Sequence, residues 1–529
     1  MRFPLSLLAR LLGRFFAFAL ACSSLASAQS CFISAFPSTL EFPPSGGIGS
    51  VSVNAPLGCS WGASCSGAAV QFGGGSGNGP GGFNVTANAN GGSFNLQGGC
   101  TVSGGIGGAS ISVIVDAAGS TSSGSSPASS SANLSSFLDP TGVTTGKPAG
   151  QSIFYRGTDA QLHHIYSNTT WLTDDPGGFT NAQPIASGSS ISSFLDPTGV
   201  TTGKPAGQAA FYVGTDQHIH HVFSNTTWFT DDPTAMTGAT LAATGSPVSS
   251  FLDVTGVTTG GKPGQAIFYI GTDQHVHHFF TDTTWHTDDP TANSGAPLAE
   301  SGGHGLCSFL DAAGATTGGP GQAIFYIGTD HHVHHIYSNT TWHTDDPTAM
   351  TGAPLAATGS SLTCFLDPTG VTTGSPHGQS IFYIGTDQHV HHLYSNTAWH
   401  QDDPTAMTGA PLAATGSSLS SFLDPTGVTT GAPAGQSIFY IATDQHVHHI
   451  YSNTTWHTDD PTAMTGSPVA ATGSPLSSFL DPTGVTTGKP AGQSIFYIGT
   501  NGHVYQIYSN TTWFANDTTA DTGATLATF

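Results

Sequence analysis

Alternation of apolar and polar positions divides this chain into two patterned regions. Between residues 29 and about 116, runs such as Ser50-Val51-Ser52-Val53 and Ile111-Ser112-Val113-Ile114-Val115 are separated by Gly and Asn clusters. Near period-two alternation marks strands with one buried face, and Gly and Asn mark the turns between them. The segment predicts a small β-sandwich. Residues 117–132 are Ser-rich without an apolar pattern and predict a flexible linker.

From residue 133 the pattern repeats. Trp171, Trp228, Trp285, Trp342, Trp399, Trp456 and Trp513 recur every 57 residues, and residues 133–529 are close to seven such periods. A fixed period of this kind means one supersecondary unit per repeat, stacked on its neighbours. In the fifth unit Ile381 to Thr386 is β-branched and aromatic, Asp387-Gln388 predicts a two-residue hairpin tip, and His389 to Tyr394 predicts the return strand. The seventh unit has Asn501-Gly502 at that tip, a strong hairpin signal. Asp367-Pro368-Thr369-Gly370 predicts a type I turn and Asp402-Asp403-Pro404 another turn. No segment shows helical periodicity.

Four short strands fit each 57-residue unit, which is the size of a propeller blade and long for a solenoid coil. The chain stops at Phe529, where earlier units continue into Ser-Ser-Phe-Leu-Asp, and the first unit begins with that piece, Ser135 to Asp139. Joining the ends removes exposed sheet edges. The expected fold is all-β: a seven-bladed β-propeller over residues 133–529, preceded by a β-sandwich over residues 29–116.

Residues 1–28 predict a secretory signal peptide. Arg2, Arg10 and Arg14 precede an apolar run from Phe15 to Ala21, and Ala26-Ser27-Ala28 supplies a cleavage site. A lipoprotein reading at Cys22 is disfavoured by Ala19 three residues earlier. The remaining chain carries five Lys and Arg against 31 Asp and Glu, a formal charge of −26. That charge repels phosphate backbones and excludes nucleic acid as a partner. No later stretch is apolar enough for a membrane span. The expected location is secreted, extracellular or at the cell surface.

Six cysteines follow Ala28, an even number that favours disulfides in an exported chain. Cys31, Cys59, Cys65 and Cys100 allow three pairings, among which the sequence does not choose. Cys307 and Cys364 occupy nearly equivalent places in units four and five, one residue out of register. One step reverses the face of a strand residue, so the two side chains look at each other and predict an inter-blade disulfide, with two free buried thiols as the alternative.

The recurring chemistry is aromatic, imidazole and carboxylate. Aromatic rings fill the wedge between sheets and also stack on the C–H faces of sugars. In the fifth unit His389 and His391 share one face of a strand, and His392 lies on the other. Polar pairing inside the fold, hydrogen bonding to a ligand and chelation of Zn or Cu are all open to these histidines. Adjacent carboxylates such as Asp402 and Asp403 do not flank a single bond as glycosidases require, and every candidate is copied around the ring. No nucleophile elbow, metalloprotease helix or phosphate loop occurs. The expectation is therefore no enzyme, no cofactor and no assigned metal residue.

Two resemblances add to this. The text from Cys31 to Ser64, followed by Gly75 to Asn90, resembles the BACON family of bacterial immunoglobulin-like domains, including Cys59 and Trp61. The unit with "SIFYIGTDQHVHHLYSNT" at its centre resembles the repeats of fungal and bacterial fucose-specific propeller lectins. That resemblance implies sugar sites between adjacent blades, held by an arginine, a return-strand glutamate and an aromatic. Here Ser380 and its equivalents stand in the arginine region, and only Arg156 occurs in the repeats. The return-strand acid is replaced by His164, His221, His278, His335, His392 and His449, and by Gln506 in the seventh unit. These seven residues and the seven tryptophans are the expected ligand-binding set. The expected function is a secreted, multivalent, lectin-like protein whose partners are fucosylated or other cell-surface glycans. A structural or adhesive repeat protein and a metal-binding His cluster are the alternatives.

Overall fold

The computed structural model describes residues 31–528 apart from short stretches, the longest being 90–95 and 116–133. The expected signal peptide and Ser-rich linker lie outside the described residues. The chain divides into two compact units near residue 124.

The N-terminal unit is one continuous eight-stranded ladder rather than two separate sheets. Its corner is the strand Val70–Asn78, which pairs with Ser60–Gly67 through residues 74–78 and with Gly81–Ala87 through residues 70–73. The two halves so created enclose a core of Val51, Trp61, Phe83, Val85, Val102 and Val113. Trp61 lies across glycine backbone: a Cβ at Gly77 would come within 2.7 Å of the indole, and its Nε1 donates to the Gly79 carbonyl at 2.8 Å. Disulfides Cys31–Cys59 and Cys65–Cys100 select one of the three possible pairings.

The second unit is a β-propeller of four-stranded antiparallel sheets in simple meander order, seven of them among the described residues. In the fifth blade the strands are Leu362–Asp367, Gly378–Ile384, Val390–Ser395 and Trp399–Asp402. Each first strand lies against the first strands of both neighbouring blades, so these strands line the axis. The second strand is buried on both faces, and its period of two divides it between neighbours. Ile381 and Tyr383 pack toward the fourth blade, against Phe325 and Val333. Phe382 and Ile384 pack toward the sixth, against Ile438 and Tyr440. Burial pushes the Tyr383 phenol up, keeping it a neutral donor, and it reaches the Pro354 carbonyl at 2.6 Å.

Small hydroxyl residues join the axial strands. Ser135 meets Ser193, Ser192 meets Ser250 and Ser420 meets Ser478, each at 2.8 Å. Ser477 meets Ser136 at the same distance, which closes the ring between its last and first blades. Leu134 and Tyr155 of the first blade share a core with Phe496 and Ile498 of the last, and Ala527 bridges to Gly157. At the junction of the fourth and fifth blades the hydroxyl pair is replaced by the disulfide Cys307–Cys364, as the one-residue offset predicts.

Two local expectations change. The hairpin tip is a three-residue loop, Thr386-Asp387-Gln388. The Gln388 amide donates to the Gly385 carbonyl at 2.9 Å, and the Gly385 amide donates to the His389 carbonyl at 2.9 Å. Only Gln388, at φ 66°, takes the left-handed conformation, as a type I turn followed by a bulge requires. Each blade also carries a short helix, Pro404–Thr408 in the fifth. Asp403 caps it by accepting from the Ala406 amide at 2.8 Å, Pro404 opens it, and Gly409 at φ 69° ends it. Five residues are too few to show a helical period.

Candidate functional site

Strand register aligns one residue from each of three strands in a row across the blade. Phe382 pairs with His392, and His392 with Asp402. All three present the same face to the next blade, where Trp456 meets them. The indole stands edge-on to His392 at 5.6 Å and to Phe382 at 6.4 Å. Asp402 ties the junction together, since Oδ1 pairs with His392 Nδ1 at 2.9 Å and Oδ2 accepts from Trp456 Nε1 at 3.1 Å.

The same unit recurs around the ring. Asp174, Asp231, Asp288, Asp345 and Asp459 accept from the next blade's indole at 3.1–3.3 Å. The structure thus joins the sequence-predicted residues in pairs across junctions: His164 with Trp228, His221 with Trp285, His278 with Trp342, His335 with Trp399, His392 with Trp456 and His449 with Trp513. At the closing junction Gln506 and Asn516 occupy the row beside Phe496, and Trp171 stands edge-on to that ring. Asn516 Nδ2 donates to Gln506 Oε1 at 2.9 Å. Sequence reasoning does not single out the bridging Asp as a site residue. Its recurrence at a fixed ten-residue distance from the last His is the signal that could have found it.

The histidines are buried beneath the half-buried tryptophans. His392 is 2% exposed and stacks between Phe382 and Tyr394. Their Nε2 atoms point inward, and in five blades, His278 among them, Nε2 has no hydrogen-bond partner among the described residues. Gln322 Oε1, on the adjacent strand of the fourth blade, is likewise without one.

Clefts open at two equivalent junctions. That between the third and fourth blades, of about 200 Å³, is lined by His278, Phe280 and Asp288 on one side and Gln322, Asn339 and Trp342 on the other. That between the last and first, of about 430 Å³, is lined by Gln506, Tyr508 and Asn516 on one side and Gln151, Thr170 and Trp171 on the other. Each combines a partly exposed indole edge, a second aromatic ring and several amide and hydroxyl groups.

Neither carboxylate of the adjacent pair is free for acid–base work. Asp402 serves the junction, while Asp403 caps a helix and binds His389 Nδ1 at 2.7 Å. Burial pushes the Asp402 carboxyl up, but His392 and Trp456 together hold it below the usual carboxylate range. Asp387 is likewise pushed up by burial and brought below its ordinary value by His391 and the His389 amide. Asp216, Asp273, Asp330 and Asp444 follow the same pattern. A carboxyl depressed by folding stabilises the fold above its unfolded value, here about 3.8, and loses that contribution as pH falls through the folded value. The urea midpoint is therefore expected to hold steady down to about pH 4 and to fall steeply below it. A profile with no break there would contradict this.

No family model matches the chain, and no curated protein matches it. Among solved structures, a lectin of Aleuria aurantia in complex with Fucα1-6GlcNAc is similar at 11% identity. The match covers 62% of this chain and 94% of the lectin, with a TM-score of 0.41. That lectin is described as a six-bladed β-propeller. A fucose lectin of Kordia zhangzhouensis in complex with methyl-fucoside is similar at 19% identity. It covers 29% of this chain and 96% of its own, with a TM-score of 0.21.

Proposed function

We propose that this chain is an exported, multivalent carbohydrate-binding protein whose sites are the clefts between neighbouring propeller blades. The observation that carries the reading is the cleft between the third and fourth blades. There Trp342 and Phe280 offer apolar surface, while Asn339, Thr340 and Thr341 beside them offer amide and hydroxyl groups. A sugar presents a C–H face to an aromatic ring and hydroxyls to such groups. In this reading Trp171, Trp228, Trp285, Trp342, Trp399, Trp456 and Trp513 form the platforms. The buried histidines and Gln506 form the polar floor. Weak sites repeated around one ring gain avidity when they engage a clustered glycan. Disulfides in both units are consistent with an extracellular location, and no helix among the described residues is long and apolar enough to cross a membrane. The N-terminal unit, read as BACON-like, would tether the ring.

A glycan array probed with the whole chain is expected to show binding to a restricted set of sugars. Trp342→Ala combined with Trp171→Ala is expected to weaken retention on the strongest of them at least tenfold, about 1.4 kcal/mol. Absence of binding to every glycan would overturn the reading. Exposed Met236, Met350, Met407 and Met464 on the short helices favour the second reading, an adhesive surface. Concentration-dependent self-association in sedimentation, unaffected by sugars, would support that instead.

A further inference from the structure

The opposite face of the return strand carries a second recurring cluster, away from the inter-blade clefts. Three elements converge there: the hairpin loop, the start of the return strand and the residue before the short helix. In the second blade these supply Asp216, His218 and Asp232, whose donor atoms lie within 4.8 Å of one another. His218 Nδ1 is 2.7 Å from Asp232 Oδ2 and 4.0 Å from Asp216 Oδ2. The third and fourth blades repeat the set as Asp273, His275, Asp289 and Asp330, His332, Asp346. The fifth uses Asp387, His391 and Asp403, and the sixth brings together Asp444, His446, His448 and Asp460.

We infer that these clusters, one in each blade from the second to the sixth, bind a divalent cation of the zinc class. Imidazole nitrogen mixed with carboxylate oxygen is a donor set that suits Zn and disfavours Ca or Mg, which take oxygen alone. Bonds of about 2.0–2.1 Å in a tetrahedron place neighbouring donors roughly 3.3 Å apart. The observed separations of 2.7 and 4.0 Å bracket that value, so small side-chain shifts suffice. The sixth blade supplies four donors, and the other four supply three, leaving a position for water.

A second observation points the same way. His334 is 2% exposed, and its Nε2 pairs with Asp330 at 3.0 Å. Its Nδ1 is buried with no hydrogen-bond partner among the described residues and lies 3.9 Å from Asp346 Oδ2. A buried ring nitrogen left unpaired toward a carboxylate that already binds His332 is an arrangement that a cation would satisfy. The strong negative charge of the chain would favour cation capture.

The last blade supplies a natural control. There Asn501 and Tyr505 replace the hairpin Asp and the second His. It forms none of the five clusters. The test is zinc content of the full chain after chelator treatment and equilibrium dialysis against buffered Zn²⁺, with Ca²⁺ in a parallel arm. Five zinc ions per chain are expected, with calcium uptake negligible. Asp387→Asn together with His391→Tyr copies the last blade's own residues into the fifth, so the fold should tolerate it, and the count should drop from five to four. No zinc uptake, calcium uptake equal to zinc, or an unchanged count in that variant would each overturn the inference.

Discussion

Asp402→Ala is expected to destabilise the propeller by about 3 kcal/mol, an unusually large effect for a partly exposed residue. The carboxylate accepts from two donors that sit against apolar surroundings, His392 Nδ1 and Trp456 Nε1. Each donor left buried and unpaired costs about 1–3 kcal/mol. The indole also loses the contact that anchors it to the neighbouring blade, and in a repeat fold the interface between units carries much of the stability. The closing junction shows how the loss can be compensated. There Gln506 and Asn516 replace His and Asp as a matched amide pair. His392→Gln combined with Asp402→Asn copies that pair into the fifth blade and is expected to stay within about 1 kcal/mol of the parent. Urea unfolding at neutral pH, followed by tryptophan fluorescence and circular dichroism, measures both. A neutral Asp402→Ala variant, or a double variant as unstable as it, would show that the bridge does not hold the junction.

The features legible in the sequence are those with a period. Tryptophans spaced by 57 residues mark the blade. Ile381 to Ile384 marks a strand buried on both faces, because its neighbours on either side are copies of itself. Cys307 and Cys364 are legible because their offset departs from an otherwise regular repeat. The short helix at Pro404 reads as a turn in the sequence. Its Asp-Pro opening and closing Gly409 are helix signals, but five residues hold too little apolar pattern to reveal a 3.6-residue period. The hairpin at Asp387-Gln388 reads one residue short, because Asn501-Gly502 in the last blade suggests the two-residue form. Gln388 takes a positive φ without being Gly or Asn, so no composition signal marks the bulge. At the site, Trp and His are each visible, but not that the Trp of one blade serves the His of the one before. Register across three strands and closure of the ring decide that, and both are tertiary facts. Asp402 and Asp403 look like a pair, whereas alternation sends the first to the junction and the second to the helix cap.

Cys307→Ser combined with Cys364→Ser is expected to lower stability by about 4 kcal/mol, the chain-entropy value for a loop closed over 57 residues. The substitution isolates the cross-link because serine is the resident residue at most equivalent positions. Ser192 with Ser250 and Ser420 with Ser478 meet at 2.8 Å, and Thr363 meets Ser421 at 3.0 Å. A hydroxyl pair in place of the two thiols therefore restores the local contact and leaves only the covalent tie missing. Reductant should lower the urea midpoint of the parent's propeller toward that of the double variant and leave the variant's propeller unmoved. Equal midpoints for parent and variant would show that the bond adds nothing beyond the hydroxyl pair. The tie does not close the ring, since the fourth and fifth blades are already joined by the chain. Closure rests on Ser136 with Ser477, on Gln151 with Gln506 and on the core shared by Leu134 and Phe496, all non-covalent. Opening should therefore begin where the first and last blades meet. The disulfide, midway round the ring, should limit how far the separation travels, so reductant is expected to change the cooperativity of unfolding as well as its midpoint.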